Sequence, residues 1–320
     1  MSVVVSGAVR TVLFPVTVLG YLIWVGASAF RRAGVSRTAQ GPLSARWLMH
    51  HLGVRPDDAA RRLLPALPGV PSLGMRLALG PVLVAHRLSG HVPRALRYPA
   101  RGTPPTRFEP AARAAFYDAV VERRLGGAGQ LVVLGAGFDT RAFRLPTGSR
   151  VRVHEVDLPA TQAVKRAALQ AAGVDAGHVT FVPADLTRDD WGKALRDAGF
   201  DASLPALFLW EGVIMYLDPD AVARTFRAVA ATAPGSVVAF DYLTRDALES
   251  GELYWRFVRL ATRWSGEPMT FALDGTPPLA ERAAELLAGC GLSLSDHTPL
   301  EFATGDGRAW GGFATGTVPG

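Results

Sequence analysis

The chain has 320 residues, 49% of them hydrophobic and 19% charged, which excludes a disordered polymer and suits one large α/β core with an extension. Its single cysteine, Cys290, excludes a disulfide framework and a thiolate metal cluster, and reads as a small buried hydrophobe on a late helix. The net charge of +6 divides unevenly, because residues 1–124 hold 17 arginines against 5 acidic residues and residues 125–320 hold 17 basic against 23 acidic ones.

Residues 11–30, TVLFPVTVLGYLIWVGASAF, contain no charge, follow Arg10 and precede Arg31 and Arg32. As one helix this run is just long enough to cross a bilayer, at roughly 1.5 Å per residue against a core of about 30 Å. The expectation is a single N-terminal span with the remainder on the cytoplasmic side, since the paired arginines favour that face. Two other readings stand beside it. Ala27-Ser28-Ala29 resembles a signal-peptide cleavage site, and Pro15 and Gly20 fit a broken helix packed on the protein itself. The apolar run makes an anionic membrane surface, and not nucleic acid, the expected partner of the cationic front half. Residues 73–86 are too short and interrupted for a second span.

Residues 1–35 thus form a hydrophobic segment, and residues 36–107 an Arg-rich helical cap punctuated by prolines, with helices expected at 44–52 and 57–64. His50 and His51 are adjacent and cannot share a helix face, so no metal site is expected there. Residues 101–105 read as a linker, and the main domain occupies 108–320.

That domain begins with an amphipathic helix at 111–125, stopped by Gly126-Gly127-Ala128-Gly129. Strand candidates at 131–134, 151–156, 179–182, 206–210 and 237–242 then alternate with helices, the pattern of a mostly parallel sheet with helices on both faces. A helix at 279–288 precedes two consecutive strands, 292–298 and 312–317, which close as an antiparallel pair. Between 244 and 278 lies an insertion rich in aromatics, including Tyr254, Trp255, Phe257, Trp264 and Phe271, expected to help form a lid over an apolar acceptor.

Ligands of such sheets lie beyond the carboxyl ends of the strands. The first strand leads into LGAGFDTRAFRL, where Gly135 and Gly137 have the spacing of a nucleotide-binding turn but Thr140 replaces its third glycine. Asp157, twenty residues beyond Gly137, suits both hydroxyls of a ribose, and Asp185 with Leu186 suits the edge and face of adenine. Asp139 would repel a pyrophosphate but accept from an ammonium, and Arg113 is a candidate for a carboxylate. Adenine, ribose and an amino-acid end together describe S-adenosylmethionine.

The same stretches, with ARAAFYD around Arg113, HEVDLPATQAVKR, FVPADLTRDDW and LWEGVIMYLDPDAV, resemble the successive motifs of the leucine carboxyl methyltransferase family, especially its bacterial small-molecule branch. The resemblance implies a Rossmann-like class I methyltransferase fold with S-adenosylmethionine as cofactor. It places Arg113 at the methionine carboxylate, Gly135 at its backbone, Asp157 at the ribose, Asp185 and Leu186 at the adenine, and Glu211 at the amino group. The expected reaction is O-methylation of a carboxylate or hydroxyl on an apolar small molecule. A carboxylate needs no base; for a hydroxyl, Tyr216, Asp241 and His297 are weak candidates. Tyr216 and Tyr242 are also candidates for lining the acceptor pocket. The alternatives are an NAD(P)-dependent oxidoreductase, disfavoured by Thr140 and the antiparallel finish, and a membrane-tethered binding protein of the same fold without turnover.

Overall fold

The computed structural model describes residues 2–29, 38–98, 110–146, 148–264, 266–301 and 309–320. Arg31, Arg32, the 101–105 linker and both expected domain boundaries lie outside them, as does the side chain of Trp264. The front of the chain folds as α1 (Ser2–Val12), α2 (Phe14–Ala29), α3 (Gln40–His51), α4 (Asp58–Ala66) and α5 (Ser72–Ser89), and α6 (Pro110–Arg124) leads into the sheet. The sheet comprises β1 (Gln130–Leu134), β2 (Arg152–Asp157), β3 (Val179–Pro183), β4 (Ala206–Trp210), β5 (Val237–Leu243), β6 (Ser293–Glu301) and β7 (Ala309–Thr317). Between the strands run α7 (Pro159–Ala171), α8 (Trp191–Asp197), α9 (Pro219–Ala230), α10 (Arg245–Glu249), α11 (Leu253–Trp264) and α12 (Leu279–Ala288).

The seven strands lie in the order β3-β2-β1-β4-β5-β7-β6, all parallel except β7, which runs antiparallel to both neighbours. Alternation along each strand explains the two layers. Val132, Leu134, Phe208 and Trp210 pack with Phe226 of α9, whereas Leu131, Val133, Leu207 and Leu209 pack on the other face with Tyr117 and Val120 of α6. The order reverses between β1 and β4, so a crevice opens there at the carboxyl ends. This is a Rossmann-like architecture with an antiparallel β7, preceded by a helical extension.

The 11–30 run is not one helix. It divides at Leu13, α1 and α2 meet at 55°, and among the described residues no single helix is long and apolar enough to cross a membrane. Helix α2 packs on α5 instead. A Cβ on Gly20 would lie 2.2 Å from the Ala78 backbone nitrogen, so only glycine lets the two helices approach this closely. Trp24 is buried one turn further on and donates to the Gln40 side chain at 2.9 Å, which fastens α2 to α3. The α3 and α4 core then packs through Leu43, Met49, Leu63 and Leu64 with Phe138 of the glycine turn and Leu169 of α7.

Gly20→Val is expected to destabilise the protein by about 1–3 kcal/mol or more through overpacking against α5. Gly26→Ala, in the same helix but with open space where the Cβ would go, should be neutral or slightly stabilising. Denaturant unfolding of the two variants side by side measures the difference, and equal behaviour would contradict the close approach.

Candidate active site

One cavity of about 640 Å³ opens beyond β1, β2 and β4, within the ~300–1,000 Å³ range of small-molecule sites. It brings together Arg113, Gly135, Gly137, Asp139, Asp157, Asp185, Leu186 and Glu211 on its walls, with Tyr216. Asp241 and His297 are not among the lining residues.

The turn after β1 carries Gly135 at φ 61° and Gly137 at φ 45°. A Cβ on Gly135 would stand 2.5 Å from the Val213 side chain, so the backbone there is closely covered by the loop after β4. Asp157, at the tip of β2, accepts from the Gly137 N–H through Oδ2 and from the Leu158 N–H at 2.6 Å through Oδ1. Burial raises the Asp157 carboxyl, and these two N–H groups only partly oppose it. Asp185 is bound within its own loop, by the Thr187 N–H at 2.8 Å and the Arg188 Nε at 2.9 Å.

Asp139 is placed differently from a free ammonium acceptor. Its Oδ1 takes the Arg141 N–H at 2.7 Å, and its Oδ2 takes Arg46 at 2.8 Å and the Arg141 guanidinium. The same two arginines meet Oε2 of Glu211, Arg46 at 2.9 Å. Both use that one oxygen, which leaves Oε1 for the cavity that Glu211 lines. Burial alone raises both carboxyls, but Arg141 and Arg46 outweigh it and hold Asp139 and Glu211 below the usual carboxylate range. Glu211 is therefore an ionised acceptor presented by fixed cations.

The ionic network continues behind the wall. Arg141 Nε meets Asp118 at 3.0 Å, Arg55 grips the same carboxylate at 2.8 and 3.0 Å, and Arg55 also meets Asp57 at 2.6 Å. Asp57 accepts from the Thr140 hydroxyl at 2.8 Å and caps α4 at the Ala60 N–H. Arg144 adds a contact to Asp118 at 3.1 Å. Arg46, Arg55, Arg141 and Arg144 thus face Asp57, Asp118, Asp139 and Glu211, a balanced set of charges. Arg46, Arg55, Asp57 and Asp118 escaped the sequence reading, because the contacts that join them to the site span 63 to 165 positions and leave no local pattern: Arg55 to Asp118, Asp57 to Thr140, and Arg46 to Asp139 and Glu211.

Arg113, on α6, lines the cavity with its guanidinium 3.1 Å from Asp241. Asp241 is fully buried and also accepts from the Tyr117 hydroxyl and the Gly212 N–H, each at 2.7 Å. It anchors Arg113 and the loop after β4 from behind. His297 bonds the Tyr242 hydroxyl at 2.8 Å on the β5–β7–β6 side, and Tyr242 is wholly buried, so neither borders the cavity. Glu155 is likewise withdrawn, paired with Lys165 at 2.6 Å; burial pushes its carboxyl up to about 7 despite that partner.

The cavity wall also carries the apolar side chains of Met49, Leu217, Leu243, Val258 and Met269. Trp255, from the 244–278 insertion, joins them and packs on Trp310 at 5.5 Å between ring centroids. Glu267 also lines the wall and accepts from the Thr38 N–H at 3.2 Å.

Fold and site together define a Rossmann-like sheet with one cavity at the carboxyl ends of its strands. Residues 83–230 match the model of the leucine carboxyl methyltransferase family. Curated relatives provisionally named S-adenosyl-L-methionine-dependent methyltransferases include one of Mycobacterium tuberculosis, 39% identical over 139 residues, which are 43% of this chain and 44% of that protein. Another, of Mycolicibacterium smegmatis, is 42% identical over 150 residues, 46% of each chain. The chain therefore spans less than half the length of these relatives. Among solved structures, an O-methyltransferase family protein from Burkholderia thailandensis is 17% identical, covering 65% of this chain and 60% of that one, with a TM-score of 0.42.

Asp139→Ala leaves two buried guanidinium groups short of a partner, and a loss of about 3–5 kcal/mol in unfolding free energy is expected. Because Asp139 and Glu211 are held below their unfolded values, their contribution is present above about pH 4 and is lost as pH falls through the native values. Denaturant unfolding followed from neutral to acid pH should show stability falling below about pH 4, with a shallower fall in Asp139→Ala. Equal slopes would contradict the network's role.

Proposed function

We propose that the protein is an S-adenosylmethionine-dependent O-methyltransferase acting on a carboxylate or hydroxyl of an apolar small molecule. The observation that carries this reading is the convergence of Arg113, the Gly135 turn, Asp157, Asp185 with Leu186, and Glu211 on one cavity whose walls also carry apolar side chains. The residues fit the cofactor. Arg113 takes the carboxylate, Glu211 Oε1 the ammonium, Asp157 the ribose hydroxyls, and Leu186 and Asp185 the adenine face and edge.

The bound cofactor supplies an electrophilic methyl group on a sulfonium. The chain's own work is placement: Arg113 and Glu211 fix the amino-acid end, Asp157 the ribose, and the walls from Met49 to Trp255 exclude water and hold the acceptor oxygen in line. Such placement supplies on the order of 7 kcal/mol of barrier lowering in favourable cases. Of the three base candidates only Tyr216 borders the cavity, and burial raises its phenol and keeps it protonated, which favours a carboxylate acceptor that needs no base; Asp241 acts through Arg113.

Titration calorimetry with S-adenosylmethionine, S-adenosylhomocysteine and NADH tests the reading. Binding of the first two is expected, and Arg113→Ala and Glu211→Gln should each weaken it by roughly 10- to 150-fold, the loss of one charge-assisted hydrogen bond at about 1.5–3 kcal/mol. Binding of NADH alone would overturn it. Mass-spectrometric screening of apolar metabolites for the gain of one methyl identifies the acceptor, and Trp255→Ala should change acceptor preference more than cofactor affinity.

A further inference from the structure

Exposed large apolar side chains are concentrated in two places. Along α2, Phe14, Val18, Leu22 and Val25 form one stripe at helical spacing, with Phe14, Leu22 and Val25 between 60% and 65% exposed, while Gly20 and Trp24 on the other side pack inward. Neighbouring α1 adds Val4 and Val12, 74% and 76% exposed. In α11, Trp255 and Thr262 are buried beneath the helix, whereas Leu253, Phe257 and Leu260 show a second apolar face at 81%, 69% and 54% exposure. Among the described residues, only Leu204 belongs to this exposed class outside α1, α2, α5 and α11. A monomer in water gains nothing from such clustering.

A chain of contacts links the inner side of α2 to α11 along the cavity. Trp24 of α2 holds Gln40, the Thr38 N–H meets Glu267 at 3.2 Å, and the Glu267 N–H donates to Thr262 of α11 at 2.9 Å. Thr38 and Glu267 line the cavity, and Tyr254 and Gly266 line it while exposed to solvent, so this chain of contacts marks its rim. Charge selects the occupant. Residues 1–56 contain no acidic side chain, and exposed Arg10, Arg76 and Arg87 flank the α1–α2–α5 face as Arg256 and Arg263 flank that of α11.

We propose that the outer faces of α2 and α11 seat the protein on an anionic lipid bilayer, without crossing it, with the cavity rim at the lipid surface. Apolar side chains enter the headgroup boundary while the arginines meet lipid phosphates. An apolar acceptor dissolved in the bilayer then reaches the cavity without passing through water; only this last step rests on the methyltransferase reading.

Co-sedimentation of the full chain with phosphatidylglycerol–phosphatidylcholine vesicles and with phosphatidylcholine vesicles tests the proposal. Binding to the anionic vesicles is expected, weakened by salt and by removal of phosphatidylglycerol. Leu22→Ser/Val25→Ser and Phe257→Ser/Leu260→Ser, both at exposed positions, should each lower partitioning by about tenfold or more while leaving thermal unfolding and S-adenosylmethionine affinity unchanged. The proposal is overturned if the protein ignores anionic vesicles, if an alkaline carbonate wash fails to release it, as for a spanning helix, or if ultracentrifugation shows a dimer that these substitutions dissolve without any vesicle binding. Vesicle binding without S-adenosylmethionine affinity in the unaltered chain would instead remove the enzymatic reading and leave the surface standing.

Discussion

A buried ladder of arginines and carboxylates joins the front helices to the carboxyl edge of the sheet, and the site depends on it. Arg46 reaches from α3 to Asp139 and Glu211, while Arg55 and Asp57, just after α3, close on Asp118 of α6 and Thr140 of the turn. Removing charges from water costs several kcal/mol per ion, so the ladder holds only while every member keeps its partners. Docking of the cap and orientation of Glu211 are therefore one event. A cap displaced by a few ångströms would strand guanidinium groups in the core and release the carboxylate that faces the cavity.

Around this polar joint the apolar contacts are divided by side. Inward, Gly20 and Trp24 hold α2 against α5 and α3, and Trp255 holds α11 against Trp310. Outward, the same helices expose Leu22 and Phe257. Each helix thus has two apolar faces, one packed inward and one exposed, and the inner face of α11 reaches the cavity through Trp255 and Val258. The path from Trp24 through Gln40 and Thr38 to Glu267 and Thr262 makes the rim a hydrogen-bonded seam between the cap and the insertion.

The central strands β1, β4 and β5 were legible because each is buried on both faces and bounded by turn residues. The observed β4, Ala206–Trp210, has the expected limits, as does α12, Leu279–Ala288. Composition suggests one span at 11–30 through its absence of charge, but the helix breaks at Leu13, just before Pro15 in the first turn of α2, and Gly20 lies inside α2 at its contact with α5. Pro81 lies inside α5, which runs from Ser72 to Ser89. Period two settles the tyrosine on β5: Tyr242 shares a face with Phe240, away from the cavity, while Asp241 points to Arg113. Arg46 had no such signal, since its partners are 93 and 165 positions distant.

The central claim is that the cap arginine and the β4 carboxylate act as one unit in binding the cofactor. A double-mutant cycle measures this most directly: S-adenosylhomocysteine affinity of the unaltered chain, Arg46→Met, Glu211→Gln and the pair, determined by calorimetry. The account predicts non-additive losses, with a coupling of about 1 kcal/mol or more, as found for residues within one hydrogen-bonded network. Losses that simply add, or an Arg46→Met chain that binds as tightly as the unaltered one, would contradict it.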